Sequence, residues 1–182
     1  MSEYDVEMWS VQTQQVLDTL KRDGVYYVKN HYINEKYQET AWIFKEAYRF
    51  FIKKAGELVK KPAEAESPVW LFCDKRLACP EPGSYRIKLK IPKEELILFD
   101  TRKWSKILNL SYVGTEQEEK PFAQGLQRRG IMFPSDVFEQ PYYPTLKAEV
   151  IRSWDRLFEE CTEPLYTQGA VWKIEKGWLL EE

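Results

Sequence analysis

The sequence has little of what most enzyme and metal chemistry needs. It contains one histidine, His31, and three cysteines, Cys73, Cys79 and Cys161, among 182 residues. A zinc site takes three or four His, Cys or carboxylate ligands, and Cys73-x5-Cys79 is not a usual finger spacing, so no metal is expected. An odd, low cysteine count at irregular spacing is no disulfide framework, and three reduced thiols are expected. The chain carries no G-x-x-x-x-G-K-[ST] loop, no G-x-G-x-x-G turn and no G-x-S-x-G elbow. These absences remove the common phosphate cradle, dinucleotide fingerprint and hydrolase nucleophile. No apolar run approaches the roughly 20 residues that span a bilayer. The opening Met1-Ser-Glu-Tyr-Asp-Val-Glu7 is acidic and lacks the regions of a signal peptide, so a cytoplasmic protein is expected. A formal charge of −2 argues against coating nucleic acid or anionic membrane by charge alone.

Aromatic side chains are plentiful instead: seven Trp, eleven Tyr and nine Phe. Most must be core, since each ring buries a large apolar area. With 43% hydrophobic and 31% charged residues, the chain reads as a folded protein, a single domain over 1–182.

The pattern along the chain predicts α+β architecture. Glu7 to Gln12 reads as a strand with Met8, Ser10 and Gln12 on one face and Trp9 and Val11 on the other. Thr13 caps a helix with Val16, Leu17 and Leu20 inward, stopped at Gly24, and Val25 to Val28 forms a second strand. The longest helix is predicted from Asn34 and Glu35 to Ala55, with Tyr37, Ala41, Phe44, Tyr48, Phe51, Ile52 and Ala55 on one stripe and Gly56 and Pro62 closing it. Val69 to Cys73 is a short buried strand. Tyr85 to Ile91, where Tyr85, Ile87, Leu89 and Ile91 alternate with Arg86, Lys88 and Lys90, is the clearest half-buried one. Leu96 to Phe99 is a further strand, and Asp100 caps a helix carrying Trp104, Ile107 and Leu108. Thr115 to Gly130 reads as a loop, Thr145 to Glu159 as a last helix and Leu165 to Ile174 as a last strand. This order does not alternate as a doubly wound sheet would. A mixed, mainly antiparallel sheet with packed helices fits it better.

Several side chains have two readings. His31, in Lys29-Asn-His-Tyr32 after a strand, stands where a general base could lie, but no partner nucleophile is identifiable by spacing. A loop histidine bonded to backbone or water is the simpler account. Cys73 as a nucleophile paired with His31 competes with a small buried thiol ending an apolar strand, and the thiol reading is preferred. The row Arg86, Lys88, Lys90, with Arg102 and Lys103, is either a phosphate-binding face or a solvated sheet face guarded by charge. Trp9, Trp70, Trp104 and Trp172 are either a base-stacking pocket or core, and core is the commoner outcome.

The segments Met8-Trp-Ser-Val-Gln12, Ser67-Pro-Val-Trp70, Ile91-Pro-Lys-Glu-Glu-Leu-Ile-Leu-Phe-Asp100 with Trp104 and Leu108, and Gln168-Gly-Ala-Val-Trp172 together resemble a family of bacterial domains of unknown function. The likeness covers nearly the whole chain, with Thr115 to Tyr143 contributing little, and implies a fold rather than an activity. The order strand, helix, Gly24, strand also resembles the opening of ADP-ribosyltransferase-like domains, which bind NAD in a cleft between two small sheets. In that family the first strand supplies His or Arg to NAD, where this chain has Trp9, Ser10 and Gln12. The last strand there carries a catalytic Glu, often two residues after a Gln. Here Gln168 is followed by Ala170, which cannot stabilise a developing oxocarbenium, and Glu175 is too far along. The resemblance therefore implies a nucleotide-binding domain, NAD being the ligand class, without the usual catalytic residues. Its candidate ligand-binding residues are Ser10, Gln12, His31 and Gln168, with Gln12 and Gln168 expected on adjacent strands facing one cleft. The alternatives are a protein-interaction module of a bacterial regulatory or defence system, and an RNA-binding domain on the Arg86-Lys88-Lys90 face.

Overall fold

The computed structural model describes residues 5–29 and 41–180. His31, Asn34 and the first residues of the longest predicted helix lie outside them. A six-stranded sheet organises the rest, in the order β5-β6-β3-β1-β4-β8. Its strands are β1 (Asp5–Thr13), β3 (Val69–Phe72), β4 (Ser84–Pro92), β5 (Ile97–Asp100), β6 (Thr167–Val171) and β8 (Leu179–Leu180). Every pairing is antiparallel. The α+β class with a mainly antiparallel sheet is what the sequence pattern predicted.

Alternation builds the middle of the sheet. β1 and β4 run in unbroken register from Asp5↔Pro92 to Thr13↔Ser84. This puts Met8, Ser10, Leu89 and Ile91 on one face and Trp9, Arg86, Lys88 and Lys90 on the other. The second face is partly self-neutralised: Lys88 Nζ lies 2.8 Å from Glu7 and Lys90 Nζ 3.6 Å from Asp5.

Helix α1 (Gln14–Asp23) follows β1 directly and buries Val16 and Leu20. It ends on Gly24 at φ 79°, a left-handed position glycine adopts without Cβ strain, and the Gly24 N–H donates to the Leu20 carbonyl. Strand β2 is Val25–Tyr26 alone, shorter than predicted, and Val28 makes an isolated bridge to Ser67. β2 pairs with β7 (Ile174–Glu175) in a separate two-stranded ribbon. The predicted last strand is thus split between two sheets, because the chain turns at Trp172 and Lys173.

Two cores cover opposite faces of the large sheet. On the face of Trp70, Ala170, Ile97 and Phe99 lie α2 (Ala41–Leu58), α3 (Thr101–Leu108), α6 (Pro144–Ser153) and a 3-10 turn, Trp154–Phe158. Phe51 is its hub, with ring centroids 5.0 Å from Trp70, 5.2 Å from Phe99 and 5.3 Å from Trp104. The buried stripe of α2 is Ala47, Phe50, Phe51 and Ala55, while the predicted Phe44 and Tyr48 are half-buried. α2 also runs through Gly56 to Leu58 rather than stopping at Ala55, since the helical N–H of Val59 still finds the Ala55 carbonyl. On the other face Met8, Leu71, Leu89 and Ile91 pack with Val16, Leu20, Ile174 and Trp178. The predicted last helix tightens at Trp154 from α6 into the 3-10 turn.

Two helices lie in the stretch of chain from Thr115 to Tyr143. Glu116–Arg128 is helix α4, not a loop, and α5 (Asp136–Glu139) follows. Thr115 and Glu118 cap α4 reciprocally, and Leu126, Ile131 and Val137 form a small third core.

Candidate functional site

Ser10 is fully buried at 0% exposure, a polar residue inside an apolar face. Its hydroxyl donates to the Trp70 carbonyl at 2.9 Å and accepts from Gln12 Nε2 at 2.8 Å. A hydroxyl has one hydrogen, so spending it on a carbonyl obliges the amide to approach with its nitrogen. Gln12 is thereby oriented, and Oε1 remains an acceptor with no partner among the described residues.

Gln12 lines two adjoining clefts. One, of about 390 Å³, lies between α1 and the chain after β2, with Gln15, Thr19, Tyr26, Tyr27 and Lys29 on its walls. The other, of about 240 Å³, shares Gln12, Tyr26 and Lys29 and adds Tyr48, Ser67 and Trp70. Lys29 Nζ donates to the Glu64 carbonyl at 2.8 Å and lies 3.5 Å from a Glu66 carboxylate oxygen, which fixes its ammonium at the rim. The Gln15 amide makes no side-chain hydrogen bond among the described residues. Together the walls offer aromatic rings, free amide groups and one cation, a mixture suited to a planar polar ligand.

Gln168 does not join this site. β3 lies between β1 and β6, so the strands that carry Gln12 and Gln168 are not neighbours. Gln168 pairs with Phe72, and Phe72 with Trp9, so Gln168 shares the face of Trp9 while Gln12 faces the other way. Ser10 and Gln12 are therefore together, Gln168 is apart, and His31 is outside the described residues. Sequence reasoning missed Gln15, Tyr26, Tyr27 and Lys29. Apart from two adjacent tyrosines after a helix stop, no local signal marks them, because the clefts are assembled by tertiary packing.

Most of the other candidates are occupied structurally, while Trp9 Nε1 and Arg86 Nε are buried without a hydrogen-bond partner among the described residues. Burial, with the Cys161 thiol nearby, pushes the Cys73 thiol above its ordinary value, the opposite of an activated nucleophile. All three cysteines are free. Burial also works to raise the Asp100 carboxyl, but hydrogen bonds from Arg102 outweigh it and hold the group below the usual range. Asp100 thus stays ionised, capping α3 through the Arg102 N–H. Arg102 is held by Asp100 and Glu163, Lys103 by the Arg156 carbonyl and Glu159. Of the four tryptophans, Trp104 and Trp172 are 8% and 0% exposed, and Trp70 packs against the same core. Among the described residues no three His, Cys, Asp or Glu converge as a metal set, and no helix is long and apolar enough to cross a membrane.

No curated protein and no solved structure matches the chain. One family model does, over residues 7–180, spanning β1 to β8 and both cores. By that match the chain belongs to the family described as a domain of unknown function, DUF3841.

Proposed function

We propose that the paired clefts around Gln12 bind a nucleotide-class ligand, NAD among the candidates, and that binding rather than group transfer is the activity. The observation that carries this reading is the Ser10 relay. A buried hydroxyl is spent on orienting one surface amide, which is the economy of a prepared binding group rather than of packing alone. The free Gln12 Oε1 suits an exocyclic amine or a carboxamide N–H, Tyr26 and Tyr27 supply ring faces, and Lys29 supplies charge for a phosphate in competition with Glu66. Ala170, fully buried, stands where the transferase-like likeness would require a carboxylate, and this supports binding without transfer.

Calorimetry with NAD, ATP and a short RNA tests the reading. A saturable heat with NAD or ATP is expected, weakened about tenfold in Gln12→Ala by loss of one buried hydrogen bond. Ser10→Ala is expected to weaken binding too, since the amide is then free to turn. Silence with both nucleotides would remove the reading. The second reading, a partner-binding module of a bacterial regulatory or defence system in the cytoplasm, is favoured by Met132, Phe133 and Tyr142, exposed at 80%, 65% and 78%.

A further inference from the structure

A second concavity lies on the far side of α2, away from Gln12. α2 and α6 leave a groove of about 430 Å³ between them, floored by Phe50, Ile151 and Trp154. The floor is rigid: the Phe50 and Trp154 rings meet edge to face at 5.3 Å, and Trp154 Nε1 donates to the Ser111 carbonyl at 2.8 Å. The indole N–H is therefore satisfied elsewhere, leaving the groove only apolar ring surface.

The rim has the opposite character. Two carboxylates reach it, Glu46 and Asp155, and both are already engaged. Arg49 Nη1 lies 2.7 Å from Glu46, and Lys54 Nζ 3.1 Å from Asp155. Two further cations line the same groove, Lys53 on α2 and Arg152 on α6, and neither has a carboxylate partner among the described residues. Both are exposed. The result is an apolar trough with a surplus of two positive charges, one on each wall, in a chain whose formal charge is −2. Nothing in the packing of α2 on α6 requires that surplus, because the ties to α2 are made by Lys54 with Asp155 of the 3-10 turn and by Lys147 of α6 with Glu46.

We propose that this groove is a second ligand site, one that takes a small amphipathic anion: a single apolar chain or ring bearing a carboxylate or phosphate. The apolar part lies on Phe50, Ile151 and Trp154, and the anionic head lies between Lys53 and Arg152. The volume is that of a small-molecule site, and its concave form receives one chain rather than a bilayer surface. The rim cations give the sign of the ligand, since an anion gains from both while a cation is repelled by both. The site is separate from the Gln12 clefts in residues, ligand and test.

Calorimetry on the full chain, with decanoate and decyl phosphate below their micelle concentrations, reads the site directly. One saturable equivalent is expected for at least one of the two, and their relative affinities tell a carboxylate from a phosphate preference. Decyltrimethylammonium is expected to give no saturable heat. The double variant Lys53→Glu, Arg152→Glu is expected to weaken anion binding by about tenfold or more. Ala148→Trp, on the exposed groove wall, is expected to block it with the rim charges intact, so that a folding fault in one variant leaves the other decisive. Equal binding of the cationic amphiphile, or undiminished anion binding by both variants, would overturn the assignment. So would silence with both anions, or binding to vesicles of anionic lipid without binding to the free amphiphiles.

Discussion

Gly169 illustrates how little room the sheet leaves. A Cβ built there would stand 2.5 Å from Met8 Cε and 3.2 Å from both Leu71 Cβ and Leu96 Cδ1. The methionine tip is flexible in principle, but Met8 is 1% exposed and has nowhere to go. Gly169→Ala is therefore expected to cost about 1–3 kcal/mol by overpacking, measured by urea denaturation. Shortening the obstructing side chain in Met8→Val is expected to return part of that loss in the double variant. A strictly additive double variant would show that Met8 is not the obstruction. Single residues also show what sequence can reveal of the site. Ser10, Gln12 and Gln168 are singled out by the transferase-like order of segments; the structure joins the first two and places Gln168 elsewhere. Alternation tells which way a side chain faces within its strand, and nothing local tells which strand will lie beside it.

Whole elements were legible where the pattern was dense. β4 alternates without a break, α1 is closed by Gly24, and α3 is opened by Asp100; each was placed by those residues. α4 was not, because Pro121, Gly125 and eight polar side chains from Glu116 to Arg128 look like a loop. Its one plain signal was Thr115 followed by Glu118, the spacing of a capping box. The structure shows why that signal suffices. Glu118 closes the box and also accepts from Arg156 Nη1 at 2.5 Å and Nη2 at 2.7 Å, so the cap is anchored to the turn after α6. These bonds, Arg156 first and Thr115 next, hold the Glu118 carboxyl well below its ordinary value. A carboxyl depressed by folding contributes stability above its unfolded pKa, about 4.3, and loses it as the pH falls towards the folded value. The urea midpoint is expected to drop below about pH 4.3. Glu118→Gln should lower the neutral plateau and flatten that acid limb. An acid limb as steep as in the parent chain would assign the dependence to other carboxylates.

At the scale of the molecule, both large cores rest on one sheet. Trp70 and Phe99 leave it towards α2, Met8 and Leu71 leave it towards α1, and neither core keeps a complete floor without the same strands. We infer that residues 1–182 form one domain and unfold in a single step. Tryptophan fluorescence, dominated by the first core, and far-ultraviolet circular dichroism, which averages over the chain, are expected to give one urea midpoint. Two separated midpoints would divide the chain into two units.

The central position of β1 has a consequence for the chain as it is being made. β1 is translated before both of its partners, β3 and β4, and Asp5 waits for Pro92. At a synthesis rate of about 5–20 residues per second, that wait lasts on the order of several seconds. Until β3 is made, Trp9 and Val11 on one side and Met8 on the other stand on a strand with both hydrogen-bonding edges unclaimed, and one edge stays open until β4 follows. Newborn β1 is thus a strand that needs a chaperone's shelter, though in the finished fold it is flanked on both sides.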